Sequence, residues 1–140
     1  MLVRLLYASR AVDDSPKAID TILAQARAHN TACGITGILC YGNGVFLQAI
    51  EGSRTAVNEL YGHIVKDPRH KDVALVYFEE IAERRFGGWT MGQVHLTRVH
   101  ASTLMRFSER AELDPYAVPG RVSLALLEER MATAAVGVRN

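Results

Sequence analysis

Residues 44–52 of the chain read Gly-Val-Phe-Leu-Gln-Ala-Ile-Glu-Gly, an almost wholly apolar run with one amide in its middle. Side chains alternate between the two faces of a strand, so Phe46, Gln48 and Ile50 point the same way. If that face is buried, the amide of Gln48 needs a partner, because an unpaired buried polar group costs about 1–3 kcal/mol. The partner is a side chain, a backbone group, water or a ligand, unless Gln48 simply faces solvent.

The residues around this stretch predict a β-α-β-β-α-β order with a fifth strand. Turn residues 42–44 (Gly-Asn-Gly) join it to the preceding strand as a hairpin. Ser15, Pro16 and Ser53 mark the starts of two helices. The predicted strands cover residues 2–9, 34–41, 44–52, 73–81 and 89–96, and the predicted helices end near residues 29 and 67. This is a ferredoxin-like α+β arrangement, with both helices on one face of a mostly antiparallel sheet.

The C-terminal part of the chain predicts two further helices, over residues 101–110 and from Val122 to about Ala135. The second helix carries apolar residues on one stripe, namely Leu124, Leu127 and Met131. We expect these helices to cover the other sheet face, since a bare apolar face is an aggregation risk. The chain is therefore expected to form one domain over residues 1–96 and a helical extension, residues 97–140, packed on it.

Composition is typical of a soluble globular protein. The chain has 140 residues, of which 49% are hydrophobic, and its formal net charge of +1 gives no electrostatic reason to expect nucleic acid as a partner. No apolar stretch reaches the roughly 18 residues of a membrane span. Two cysteines, Cys33 and Cys40, are too few for a disulfide framework, so we expect reduced thiols and a cytoplasmic protein.

Candidates for chemistry lie on the predicted strands. Tyr7 is on the first strand, which neighbours the strand of Gln48, so its phenol can reach the amide across the sheet. The alternative is a core tyrosine with a satisfied hydroxyl. Trp89 and Met91 are predicted to share one face of the fifth strand, where core packing is their ordinary role.

Two helices that lie side by side on a sheet leave a slot that fits a flat aromatic ring. Ile22 and Ile64 would line this slot, unless the helices pack directly on each other. His29 and Asn30 end the first predicted helix. Asn30 either caps that helix in the left-handed conformation or presents its amide to the rim of the slot.

Lys66, Arg69 and His70 follow the second predicted helix. They form either a solvated cationic group or a site for phosphates of a ligand in the slot. His63 and His70 lack the spacing of a metal site, and the sequence has no recognisable catalytic constellation or phosphate-binding glycine loop. The sequence therefore does not predict an enzyme.

Taken in order, these segments resemble the BLUF family, the blue-light sensors that use flavin. The matching pieces are residues 7–9, 29–30, 34–39, 46–52, 67–70 and 85–91. The resemblance covers about residues 1–95. The chain is similar to the short stand-alone members of the family, in which no effector domain follows.

The resemblance implies FAD bound without a covalent bond, with its isoalloxazine ring between the two helices. Together with the slot and the cationic group described above, it gives the predicted cofactor contacts as Tyr7, Ile22, His29, Asn30, Gln48, Ile64, Lys66, Arg69 and His70. Asn30 would bond the pyrimidine edge of the ring, and Gln48 would lie between Tyr7 and the flavin N5/O4 side. Either Trp89 or Met91 would adjoin Gln48.

The resemblance also implies a photochemical cycle. Excited flavin would be a strong oxidant, Tyr7 would donate an electron and a proton, and radical recombination would leave the amide of Gln48 rotated or tautomerised, with a red-shifted absorption. The signal would pass to a separate and unidentified partner protein, with homodimer formation left open and no role for nucleic acid or a membrane. The rival functions are a cofactor-free module that dimerises through its sheet and an acylphosphatase-like hydrolase that uses Arg10 and Asn43.

Overall fold

Five strands form one sheet in residues 1–133, the part of the chain that the computed structural model describes. The elements are β1 (Leu2–Ala11), α1 (Pro16–Cys33), β2 (Thr36–Gly42), β3 (Val45–Ser53), α2 (Arg54–Lys66), β4 (His70–Ile81), β5 (Gly92–His95), α3 (Ala101–Met105) and α4 (Gly120–Thr133). Their order confirms the prediction. The predicted end of the last helix, at Ala135, lies outside the described residues.

The strands lie side by side in the order β4-β1-β3-β2-β5. All neighbours are antiparallel except β2 and β5, which are parallel. This is the predicted ferredoxin-like sheet with a fifth strand added at one edge. It places β1 beside β3 in the interior of the sheet, where Tyr7 is directly opposite Gln48.

The first helix begins as predicted but continues for a further turn. The Ser15 hydroxyl accepts the Ala18 N–H, and Pro16 occupies the first helical turn. The helix ends at Gly34, whose φ of 67° is left-handed and whose N–H bonds to the Asn30 carbonyl. Gly34 adopts this conformation readily because it has no Cβ. Since the helix continues to Cys33, Asn30 lies inside α1. The alternative of Asn30 as a left-handed cap was therefore wrong.

A two-residue turn joins β2 to β3. Asn43 and Gly44 both have positive φ, 54° and 75°. Such turns match the right-handed twist of the strands they connect. The turn fixes the register of β3 and so decides which of its side chains face each way.

Each face of the sheet has its own core. Helices α1 and α2 cover one face, where β3 contributes Phe46 and Ile50 and surrounds Gln48 with apolar neighbours. Helices α3 and α4 cover the other face, where Leu47 and Ala49 pack against Leu126 and other apolar residues. The prediction that the C-terminal helices cover the second face is confirmed.

The fifth strand and the first C-terminal helix are shorter than predicted. Trp89 and Met91 precede β5 and do not share a face: Trp89 packs in the core under α4, and Met91 in the core under α1 and α2. The Trp89 ring folds over Gly92 at the start of β5, where a Cβ would lie 1.7 Å from Cε3 of the ring, so this position requires glycine. The helix predicted over residues 101–110 ends at Met105, where turns replace it.

Candidate functional site

A cavity of about 190 Å³ lies between α1 and α2, with β1 and β3 as its floor. The residues predicted for cofactor binding that line it are Tyr7, Ile22, His29, Asn30, Gln48, Ile64, Arg69 and His70. Lys66 is exposed at the end of α2 and is not part of this lining. Eight of the nine residues predicted to contact a cofactor therefore line this cavity.

Further lining residues were missed, namely Gln25, Ala26, Leu39, Phe46, Leu60, His63 and Asp67. Helical spacing contains the signal for several of them. Gln25 and Ala26 follow Ile22 by three and four residues, and Leu60 precedes Ile64 by four, so each pair shares a helix face.

The floor of the cavity carries the predicted tyrosine–glutamine contact. Tyr7 donates a hydrogen bond from its hydroxyl to Oε1 of Gln48, and both residues are at most 5% exposed. Burial raises the pKa of Tyr7, and the charge of Asp67 and the nearby Tyr61 raise it further. The phenol therefore stays protonated at neutral pH and acts as the donor.

The other end of the Gln48 amide meets a methionine. Its Nε2 donates to Sδ of Met91 across 3.3 Å. A thioether is a weak acceptor, so the two N–H groups of the amide are not fully satisfied by it. In this structure Met91 lies beside Gln48, whereas Trp89 packs in the core of the other sheet face.

Asn30, a second amide in the lining of the slot, presents an unpaired oxygen. The residue is 1% exposed, and its Nδ2 donates to the Thr90 carbonyl at 3.0 Å. Its Oδ1 is buried and has no hydrogen-bond partner among residues 1–133. Because leaving a buried acceptor unpaired costs about 1–3 kcal/mol, this oxygen indicates a ligand that brings an N–H donor.

The predicted cationic group has a different character in the structure. Arg69 pairs with the Asp67 carboxylate at 2.7 Å and donates to Oε1 of Gln25 on α1 at 2.6 Å, and this guanidinium lowers the pKa of Asp67. His70 is within 2.8 Å of the Ser9 hydroxyl, and burial lowers its pKa. His70 is therefore largely neutral at pH 7, so the three residues do not form one cationic cluster.

The described residues give no support for a metal site or a reactive cysteine. Residues 1–133 contain no group of three His, Cys, Asp or Glu side chains that could hold a metal ion. Burial raises the pKa of the Cys40 thiol to about 12, which makes it unreactive, and Cys33 is an exposed free thiol. None of the described helices combines the length and apolarity needed to cross a membrane.

Known proteins resemble this chain in sequence and in fold. Residues 2–92 match the family described as sensors of blue light using FAD, or BLUF. Over 92 residues the chain is 38% identical to the photoactivated adenylate cyclase subunit beta of Euglena longa, an alignment that covers 64% of this chain and 11% of that protein. The chain thus spans about a tenth of that curated relative's length.

Two solved structures are similar over nearly their whole length. BlrB, a BLUF protein in its dark state, has 36% identity and a TM-score of 0.77, and the match covers 94% of this chain and 96% of that one. BlsA in its photo-activated state has 28% identity and a TM-score of 0.85, with 100% and 99% covered.

Proposed function

The chain belongs to the BLUF family of blue-light sensors that bind flavin, and we propose that its own photochemistry runs through the Tyr7–Gln48–Met91 chain on the floor of the slot. The observation that carries this proposal is the hydrogen bond from the buried Tyr7 phenol to the Gln48 amide, inside a cavity between two helices. Residues 1–96 form the sensor, and residues 97–140 form the extension that receives its signal.

The residues of the slot fit an isoalloxazine ring. The pyrimidine edge of that ring carries an imide N–H, which is the donor that the unpaired Oδ1 of Asn30 requires. Ile22 and Ile64 supply apolar walls for the two ring faces. Gln48 offers its N–H groups at the floor, where a flavin acceptor would be a better partner than a thioether.

Flavin bound in the slot would itself become a strong oxidant on absorbing blue light. Tyr7 is the residue placed to lose an electron, and its raised pKa means that the phenol proton is still present to leave with that electron. Gln48 Oε1, which already accepts the phenol hydrogen, takes that proton. When electron and proton return to Tyr7, the amide of Gln48 is left rotated or tautomerised.

Rotation of the amide breaks its contact with Met91. It places Oε1 where Nε2 was, opposite the sulfur atom, and a thioether has no hydrogen to donate. The change at Gln48 therefore reaches the segment before β5 through the loss of one specific contact. From there we infer that it passes to the C-terminal helices and to a separate partner protein, with no enzymatic activity in this chain. A homodimer and a cytoplasmic location stay predictions.

Colour is the direct test of this function. We expect the purified protein to bind added FAD, to become yellow, and to show a red-shifted flavin spectrum under blue light that returns to the original in the dark. A protein that retains no yellow colour after unbound FAD has been removed would favour the cofactor-free module. The hydrolase is disfavoured because its proposed Arg10 is engaged by Asp72 at 3.5 Å and stacks on Tyr116.

A second cavity supports FAD over shorter flavins as the cofactor. It has a volume of about 410 Å³, shares Ile22 and Arg69 with the slot, and is also lined by Val12, Lys17 and Pro68. A ligand whose ring fills the slot can therefore extend its tail past Arg69 onto this surface. The apolar side chains suit an adenine ring, and the Lys17 ammonium suits a diphosphate.

Flavin affinities measured by titration calorimetry test this choice. We expect FAD to bind more tightly than riboflavin, and Val12→Asp to weaken FAD binding about tenfold, the equivalent of 1.4 kcal/mol, while riboflavin binding is unchanged. Val65→Asp is the matched control, because Val65 is equally an exposed valine but lies on α2 outside this lining. Equal affinities for FAD and riboflavin would contradict the tail site without affecting the light-sensing proposal.

A further inference from the structure

Glu51 is a fully buried carboxylate on the same strand as Gln48, but on the other sheet face. It pairs with Arg4 of β1 at 2.7 Å. It also accepts the backbone N–H groups of Arg85 and Phe86, at 3.0 Å and 2.7 Å. One charge on β3 thus fixes two consecutive amides in the connection between β4 and β5.

Residues 84–91 of that connection reach the candidate flavin site at their far end. The Thr90 carbonyl accepts from Asn30, and the Met91 sulfur accepts from Gln48. At their near end the Arg84 guanidinium donates to the Gly34 carbonyl. The side-chain amides of Asn30 and Gln48 therefore both bond to residues 84–91, and Glu51 holds this segment from the other face of the sheet.

The same segment also contacts the C-terminal extension. The Arg85 guanidinium pairs with Glu128 of α4 at 2.6 Å, while the backbone N–H of Arg85 is held by Glu51. A displacement of residues 84–91 would therefore affect the contact with α4 as well as the contacts in the slot.

We propose that Glu51 is a positioning residue, which holds residues 84–91 so that Met91 and Thr90 meet Gln48 and Asn30, and that the Arg85–Glu128 ion pair carries the movement of this segment to α4. The inference rests on the light-sensing function proposed above. Charge-assisted bonds to backbone N–H groups are stronger than neutral ones, so the carboxylate can fix a segment that has no regular secondary structure.

Glu51→Gln tests the positioning role in the full-length FAD-bound protein. The substitution removes the charge but keeps the shape, so a charge-assisted hydrogen bond is lost. We therefore expect the backbone amides of Arg85 and Phe86 to exchange hydrogen about tenfold faster. The dark recovery rate should change by a similar factor. Glu79→Gln is the matched control, because Glu79 also pairs with Arg4, at 3.2 Å, but lies on β4 outside the segment. Its exchange and recovery should match the wild type.

Two more variants separate the alternatives. Glu51→Asp keeps the charge but shortens the reach, so we expect an intermediate recovery rate, and this variant decides the matter if Glu51→Gln does not fold. Arg85→Gln keeps the backbone bond to Glu51, so the red shift should persist while the light-induced change in α4 hydrogen exchange is lost. Wild-type recovery in both Glu51 variants would overturn the positioning role, and an unchanged α4 response in Arg85→Gln would overturn the relay. Absence of any red shift in the wild type would instead reject the light-sensing function itself.

Discussion

Tyr7→Phe is expected to bind flavin normally and to lose the light-induced red shift completely. The substitution keeps the aromatic ring, which packs 6.0 Å from the ring of Tyr61 and 6.3 Å from that of His70, so the slot retains its shape. It removes the hydroxyl that donates to Gln48. Without that group the floor of the slot has neither the electron and proton donor nor the contact through which Gln48 would be reoriented.

The measurement is a light-minus-dark absorption spectrum of the flavin-loaded variant beside the wild type. Tyr61→Phe is the matched control, because this tyrosine neighbours Tyr7 but lies on α2 and is only partly buried. Tyr61→Phe should retain the red shift. A full red shift in Tyr7→Phe would mean that another residue reduces the excited flavin, and the proposed mechanism would then fail.

Most of the fold was predictable because its signals are local. The pair Ser15-Pro16 favours the start of a helix independently of distant residues, and Asn43-Gly44 favours a tight hairpin turn in the same way. Once that turn is set, strand alternation places Gln48 on the face that α1 and α2 cover. The strand order then brings Tyr7 opposite Gln48, so the central contact of the site followed from sequence and topology together.

The parts that were wrong depend on contacts distant in sequence. The alternation of Trp89 and Met91 is typical of a strand, yet the backbone just before them is held by Glu51, 34 and 35 residues away from Arg85 and Phe86. No local pattern predicts that anchor. Likewise, His70 counts as a potential cation in the sequence, whereas burial lowers its pKa in the folded protein.

Trp89→Ala is expected to lower the free energy of unfolding by about 3–5 kcal/mol and to leave the red shift in place. The indole is almost completely buried in the core under α4, so its removal opens a large cavity there. The segment that carries Met91 keeps its bonds to Glu51 and Asn30, which do not involve the indole. Urea unfolding without flavin measures the first effect, and a light-minus-dark spectrum measures the second.

Met91→Leu should have the opposite profile. A volume-conserving swap in a core usually costs less than about 1.5 kcal/mol, so stability changes little. The Gln48 amide, however, loses the acceptor at 3.3 Å, and both the dark spectrum and the recovery rate should change. The two residues sit two positions apart but on opposite faces of the sheet, so stability and photochemistry should separate between them. If Trp89→Ala abolished the red shift in a folded, flavin-loaded protein, the light signal would have to cross the sheet by a route other than the Met91 contact.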